Sequence, residues 1–324
     1  MEKNIIVLCI LIVASFVYLK LANKFNIVDK PNERSSHTKV TIRGGGIIFP
    51  IAILLFFFLN DFQYPFFVLG LILISFVSFL DDIYTLSSRI RFPFQILAVL
   101  LILYQVDCPI VPLYYSIPLL VLGVGLINMF NFMDGINGIT GVYSLVVLSG
   151  LYFINLNEQI VSNDLIVFSG LSLLVFGFYN FRKKALFFAG DIGSIAIGML
   201  IFFIGVLFTL HLESPIFLLL VLIYGVDTAC TMLYRILYTN ESILDPHRHH
   251  IYQKLVDVYK ISHLKVSMIF GVLQLVVNFI ILKTYKLDVS IQLLVSFGLI
   301  LFFAILYVFL FKLIEKKVKV NNVK

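Results

Sequence analysis

Residues 190–210 read GDIGSIAIGMLIFFIGVLFTL. Nineteen uncharged residues, Ile192 to Leu210, follow Asp191 without a break. A bilayer's hydrocarbon core is about 30 Å thick and takes about 20 apolar residues of helix, so this stretch predicts a membrane span. It also sets an acid at the lip of that span. Working outward in both directions gives ten further apolar runs, roughly 5–22, 44–59, 65–80, 92–106, 112–127, 142–156, 165–180, 215–234, 264–282 and 290–311. The weakest is 92–106, which holds Pro93 and Gln95; Pro93 is expected in the first helical turn, where proline is tolerated. The first run lacks an Ala-x-Ala end and leads into a basic loop, so it reads as a retained helix rather than a cleaved signal.

Composition agrees. The chain has 324 residues, 60% apolar and 13% charged, against roughly a quarter charged in a soluble domain. A soluble globular enzyme could not hide that much apolar surface, and a disordered chain would not carry it. Cys9, Cys108 and Cys230 are too few and too far apart for a disulfide framework or a cysteine-rich zinc module. The expected fold class is all-α, a polytopic membrane protein of about 11 transmembrane helices, with 1–324 as a single integral-membrane domain.

Lysine and arginine give the orientation. With the N terminus outside, the segments 23–43, 81–91, 128–141, 181–191, 235–263 and 312–324 face inward and carry 19 of these residues. The outer segments carry three, Lys3, Lys283 and Lys286. Such a bias predicts an N-out, C-in topology. It also explains the net charge of +6 without a nucleic-acid partner.

That count used only basic residues, yet it gathers five other polar clusters on the inner face. The first runs Asp29-Lys30-Pro31-Asn32-Glu33-Arg34-Ser35-Ser36-His37 and on to Arg43-Gly44-Gly45-Gly46. It is a solvated basic loop or, at the glycine-rich helix start, a phosphate cradle. The second is Asp81-Asp82, with Arg89 and Arg91 beyond. Adjacent carboxylates at a membrane surface need partners. They are surface acids paired with those arginines, or a pair that handles metal or phosphate. In the third, Asn128, Asn131 and Asp134 recur every three residues before Gly135, Asn137 and Gly138, so they share one helical face. Capping explains Asp134 and Asn137; the whole set fits a water-filled cleft better.

The fourth cluster is Gly190-Asp191-Ile192-Gly193-Ser194, preceded by Asn180 and Arg182-Lys183-Lys184. Asp191 is a helix N-cap or a metal ligand. The fifth is Asp245-Pro246-His247-Arg248-His249-His250. Histidines at that density suit zinc or an anion. With no cysteine near, donors to a pyrophosphate fit better. Asp227 lies inside an apolar run ahead of Thr228, Thr231 and Arg235, as a functional acid or a structural ion pair. His211 and His263 belong to no cluster and read as loop residues. Carboxylates, amides and a His/Arg group together suit Mg²⁺-assisted phosphoryl chemistry. A P-loop or dinucleotide-type glycine pattern is absent from the sequence.

These motifs, in this order, resemble the polyprenyl-phosphate N-acetylhexosamine-1-phosphate transferases, glycosyltransferase family 4. The likeness runs from about Asp29 to about Leu255. It rests on Asp81-Asp82 with Leu86, Ser87 and Arg89, on Asn128, Asn131, Asp134 and Gly135, on Gly190 to Ser194, and on His247, His249 and His250. The resemblance implies transfer of a sugar-1-phosphate from a UDP-N-acetylhexosamine to undecaprenyl phosphate, releasing UMP, with Mg²⁺ required and room for Mn²⁺ in its place. It implies catalytic roles for Asp81, Asp82 and Asp191, with Asp191 and Asn131 on the metal. It implies substrate contacts from Asn128, Asp134, Asn180, Arg89, His247, Arg248, His249 and His250. Asp227 and Arg235 fall where the sugar-initiating branch carries Asp and Arg. The Arg34-to-His37 and Arg43-to-Gly46 runs, with His247-Arg248-His249-His250-Ile251-Tyr252-Gln253, look most like the O-antigen initiators that use 6-deoxy sugars such as FucNAc or QuiNAc, with GlcNAc as a further candidate sugar. The expected setting is the bacterial cytoplasmic membrane, as a multi-pass protein with the lipid bilayer as partner and room for a homodimer. The alternative is a multi-span transporter. That would place polar groups at the bilayer midplane in broken helices, whereas the acids here gather at one interface.

Overall fold

The structure is a computed structural model that describes residues 2–31, 39–107, 113–239, 241 and 247–322. The sequence readings at Asn32 to His37, Cys108, Asp245 and Pro246 lie outside those residues. Among the described residues twelve α-helices follow one another: α1 Glu2–Lys24, α2 Ile48–Leu59, α3 Pro65–Tyr84, α4 Ser88–Gln105, α5 Leu113–Met133, α6 Ile139–Glu158, α7 Asn163–Asn180, α8 Gly190–His211, α9 Leu222–Tyr238, α10 Ile251–Asp257, α11 His263–Thr284 and α12 Val289–Asn322. A two-residue antiparallel ladder pairs Val28–Asp29 with Thr41–Ile42, and Ile42 also bridges Phe187 in parallel. The protein is an all-α polytopic membrane protein.

Each of the eleven apolar runs lies on a helix. Among the described residues, nine helices are long and apolar enough to cross a membrane. The remaining two runs fall short for visible reasons. Gly45–Leu59 is a shorter apolar helix. The other, α4, begins at Ser88, before the predicted edge, and so takes Arg89 and Arg91 into the helix. Pro93 therefore sits past the first turn, contrary to the sequence expectation. Proline in a helix interior gives up one backbone bond, here the one the Arg89 carbonyl would accept.

α8 is the axis of the bundle. It is apolar all round, as a fully buried helix must be, and 89% of its apolar window is buried, against 6% for α12. It packs on α2, α3 and α5. Glycines set the closest approaches: a Cβ on Gly46 would lie 2.4 Å from Gly193 Cα, and one on Gly198 would press on Phe130. Small residues let helix backbones meet where lipid supplies no hydrophobic drive between helices. Large apolar side chains on α12, Leu294, Phe297 and Phe302 among them, are exposed and form a lipid-facing surface.

The run 215–234 does not form one continuous α-helix. Pro215 opens a 3-10 segment, Pro215–Val221, and α9 starts only at Leu222. The Gln274 side chain on α11 meets the exposed backbone there, donating to the Leu219 carbonyl at 3.0 Å and accepting from Tyr143 Oη at 2.7 Å. Irregular backbone at membrane depth survives where protein groups satisfy it.

Candidate active site

One end of the bundle collects the sequence clusters: the C-terminal ends of α3, α5 and α7, the start of α8, the loop before α2 and the start of α4. At its centre are three carboxylates and two guanidinium groups. Arg43 Nε lies 2.7 Å from Asp82 Oδ1, and its Nη2 lies 2.9 Å from Asp191 Oδ1. Arg91 Nη1 is 2.9 Å from Asp81 Oδ2 and 2.7 Å from Asp191 Oδ2. Each oxygen of Asp191 thus faces a different arginine. Burial opposes the charge on Arg43, but Asp191 and Asp82 outweigh it and raise its pKa. Breaking one member of such a set is costly, because its partners stay buried and charged.

Asp82 has a second task. Its Oδ1 accepts the Asp191 N–H at 2.9 Å and its Oδ2 the Ile192 N–H at 3.2 Å. These are amide groups of the first turn of α8, which no backbone carbonyl within the helix can satisfy. A residue on α3 therefore performs the N-capping that a local side chain usually performs. The turn is tight because Gly190 adopts φ +71°, and a Cβ there would lie 2.4 Å from Asp82 Oδ2. The segment before α2 is tied to the same place: Gly45 and Gly46 donate to the carbonyls of Phe188 and Ala189 at 2.8 and 2.9 Å.

Asn131 joins this centre, within hydrogen-bonding reach of Asp191 and 3.2 Å from Ser194 Oγ. Asp134 lies close by and accepts from Thr140 Oγ1 at 2.6 Å. Burial pushes the Asp134 carboxyl up to about 6; the Thr140 bond acts the other way, Asp191 adds to the rise and Arg43 opposes it. Asn180 holds the wall, accepting from Gly138 N at 2.7 Å and donating to the Phe187 carbonyl at 3.0 Å. Asn128 forms a reciprocal amide pair with Gln95 on α4, at 2.8 and 3.1 Å. Arg89 is exposed and has no ion pair among the described residues; Arg91 reaches the carboxylates instead.

The histidine loop docks beside this region. Tyr252 donates to the Phe132 carbonyl at 2.9 Å and packs over Gly135. The His247 ring lies 5.7 Å from His249 and 4.9 Å from His250. Burial and the neighbouring His250, Arg235 and His249 push His247 down to about 3, so it is neutral at physiological pH. His249 Nε2 lies 3.1 Å from Glu241, and Arg248 grips Asp257 with two bonds of 2.9 and 2.8 Å.

The structure brings together Asp81, Asp82, Asn131 and Asp191, as the motifs predict, with Asp134 and the histidines on adjoining loops. Sequence reading offered Arg91 as an ion-pair partner of Asp81-Asp82, a contact the structure shows for Asp81, but missed its reach to Asp191 and the part played by Arg43. The usable signal was the need of buried carboxylates for cationic partners. It also set His263 aside, yet this residue opens α11 and its Nδ1 accepts the Asn137 N–H at 3.3 Å. The donor set suits a divalent cation in chemistry and charge: hard carboxylate and amide oxygens, and three acids against two guanidinium groups. No three His, Cys, Asp or Glu side chains among the described residues already converge on a common ion position, because the arginines take the carboxylate oxygens.

The chain thus folds as a bundle of membrane helices with a carboxylate–guanidinium centre at one end. The profile of Glycosyl transferase family 4 matches residues 64–209, which include the Asp81-Asp82, Asn128-to-Asp134 and Asp191 elements. Over those residues the chain is similar to that family. It is 28% identical to a probable undecaprenyl-phosphate N-acetylglucosaminyl 1-phosphate transferase of Bacillus subtilis (strain 168), over 92% of this chain and 88% of the relative. It is also 28% identical to the undecaprenyl-phosphate alpha-N-acetylglucosaminyl 1-phosphate transferase of Yersinia pestis and 27% to that of Escherichia coli (strain K12), in both cases over 74% of this chain and 72% of the relative.

Proposed function

We propose that this chain transfers N-acetylglucosamine 1-phosphate from UDP-N-acetylglucosamine to undecaprenyl phosphate, releasing UMP, at the cytoplasmic face of a bacterial inner membrane. The observation that carries the reading is the convergence of Asp81, Asp82 and Asp191 with Arg43 and Arg91 at one end of the bundle. The names of the relatives support the glucosamine sugar and the lipid acceptor. The excess of lysine and arginine in segments at this end supports its facing inward.

The lipid phosphate has a second pKa of about 6, so it is largely a dianion at neutral pH and needs little help from a base. One of its oxygens attacks the sugar-bearing phosphorus of the nucleotide sugar, and the bond to UMP breaks with the electron pair leaving on UMP. Such a transfer asks the protein for positioning and charge stabilisation above all. Asp191 and Asn131 would hold Mg²⁺ or Mn²⁺, which when bound neutralises the pyrophosphate. Asp82 keeps the first turn of α8 in place, so that Asp191 presents its carboxylate at a fixed point. Arg43 and Arg91 set that carboxylate's orientation and offer donors to phosphate oxygens. The histidine loop supplies ring N–H donors for the nucleotide sugar, while Arg248 is engaged with Asp257 and braces the loop.

The test is purified protein with undecaprenyl phosphate, Mg²⁺ and a panel of UDP-sugars including the GlcNAc, FucNAc and QuiNAc forms. UMP and a lipid-diphospho-GlcNAc are expected, lost on chelation and restored by Mg²⁺ or Mn²⁺. Product only with a 6-deoxy sugar would reassign the sugar and point to O-antigen initiation. No product with any UDP-sugar would overturn the reading.

A further inference from the structure

Asp227 lies on α9, a membrane-spanning helix, and is only 3% exposed. An acid at such a position needs strong compensation. It finds this in the histidine loop. Asp227 Oδ1 is 3.2 Å from His250 Nδ1 and accepts the Ile251 N–H at 3.0 Å; Oδ2 accepts the Tyr252 N–H at 3.3 Å. Three consecutive residues thus converge on one carboxylate. Thr231 Oγ1 adds a fourth bond at 3.3 Å and passes the contact on to Tyr307 Oη of α12 at 2.7 Å.

This clamp fixes the imidazole of His250. A ring nitrogen held by a carboxylate has its tautomer and orientation set, with the proton on that nitrogen. For His250 the held nitrogen is Nδ1, which assigns the remaining chemistry to Nε2. His250 is 2% exposed, and its Nε2 has no hydrogen-bond partner among the described residues. A buried polar atom without a partner is costly and calls for an explanation. The His247 ring lies 4.9 Å away, centroid to centroid, and the nearly buried Arg235 borders the same group through Glu241. The ring is thus flanked by the His247 imidazole and, through Glu241 and His249, by the Arg235 guanidinium, with Asp227 on its other nitrogen.

We infer that Asp227 is a positioning residue for the transfer: it anchors the histidine loop and orients His250 so that Nε2 meets a phosphate oxygen of the nucleotide sugar. The inference rests on the proposed UDP-sugar reading. It assigns to an acid one helix away from the carboxylate centre the task of shaping the donor-substrate half of the site. Asp227 itself touches no reacting atom.

A double-mutant cycle on the purified enzyme tests it. Asp227→Asn keeps one carbonyl acceptor but loses the charge, and His250→Gln removes the imidazole. Each single variant should raise KM for UDP-GlcNAc about tenfold, the scale of a lost hydrogen bond to a charged group, with a smaller change in kcat. The double variant should be no worse than roughly threefold below the poorer single variant. Effects that multiply in the double variant would overturn the inference, because Asp227 would then act independently of His250. Unchanged KM in Asp227→Asn would overturn it as well. A second measurement needs no substitution: ¹⁵N-histidine spectra of the wild-type protein should contain one ring with Nδ1 protonated whose Nε2 resonance moves on adding UDP-GlcNAc. A ring set that does not respond to the nucleotide sugar overturns the inference even if Asp227→Asn fails to fold. Wild-type protein without transferase activity would instead refute the functional reading, so the two failures are distinguishable.

Discussion

Asp82 Oδ1 accepts the backbone N–H of Asp191 at 2.9 Å, so one acid starts the helix that carries the other. The two residues are 109 positions apart in the chain. The carboxylate of Asp191 is placed by α3 as much as by its own helix, and the same Asp82 also balances Arg43.

Asp82→Ala strands two buried N–H groups and leaves Arg43 with one carboxylate fewer. Each unsatisfied buried donor costs about 1–3 kcal/mol. The variant should melt several degrees below wild type and lose transfer, while Asp82→Asn, which keeps one acceptor oxygen, should melt in between. Thermal unfolding in detergent, read by loss of the monodisperse peak, checks this order. An Asp82→Ala protein with wild-type melting would show that α8 starts without the cap.

Arg91 joins Asp81 to Asp191 through a single nitrogen, whereas Arg89 is exposed. Arg91→Ala should reduce UMP release at least about a hundredfold, in line with the cost of unpairing buried charges. Arg89→Ala should cost far less. Side-by-side initial rates decide the matter, and equal losses would mean that Arg91 has no privileged role.

Gly46 and Gly193 meet backbone to backbone, and a Cβ on Gly46 would fall 2.4 Å from Gly193 Cα and 2.8 Å from the Ala189 carbonyl oxygen. Neither atom is the mobile end of a side chain. Gly46→Ala should therefore separate the Arg43 segment from α8 and reduce both folded yield and activity. Gly125→Ala, where a Cβ would have nothing within 4 Å, is the control with wild-type yield.

Asp134 carries a carboxyl raised to about 6 by burial, against an ordinary value near 4. Between these values the folded protein binds more protons than the unfolded chain, so this group's contribution to stability falls as pH rises from about 4 to about 6 and is constant above. Asp134→Asn removes the titration. The melting temperature of wild type minus that of the variant should drop across this window and level off near pH 7. A difference that stays constant with pH would show that Asp134 titrates normally.

The spans were legible because most are apolar runs with few polar interruptions, and the run ending at Leu210 was clear enough to set the fold class. The acids and amides of the site were legible because membrane proteins rarely keep such groups without use. Pairing was harder to read. Arg43 does double service, as a topological charge and as an ion-pair partner, and a count of basic residues shows only the first. Gln95 looked like a flaw in the weakest span. It is the partner of Asn128, which in the sequence belongs to the polar cluster of the inner segment 128–141. The Asp227–His250 contact joins a helix to a loop 23 residues later, and no spacing rule reaches across that gap.

The dependence of Asp191 on Asp82 also bears on how the protein is made. Arg43, Asp81, Asp82 and Arg91 all leave the ribosome before α8 exists, with two positive and two negative charges already in balance. Asp191 then arrives as the odd charge, and the amides behind it complete Asp82. The centre therefore closes only when the nascent chain has delivered α8, from the middle of the molecule.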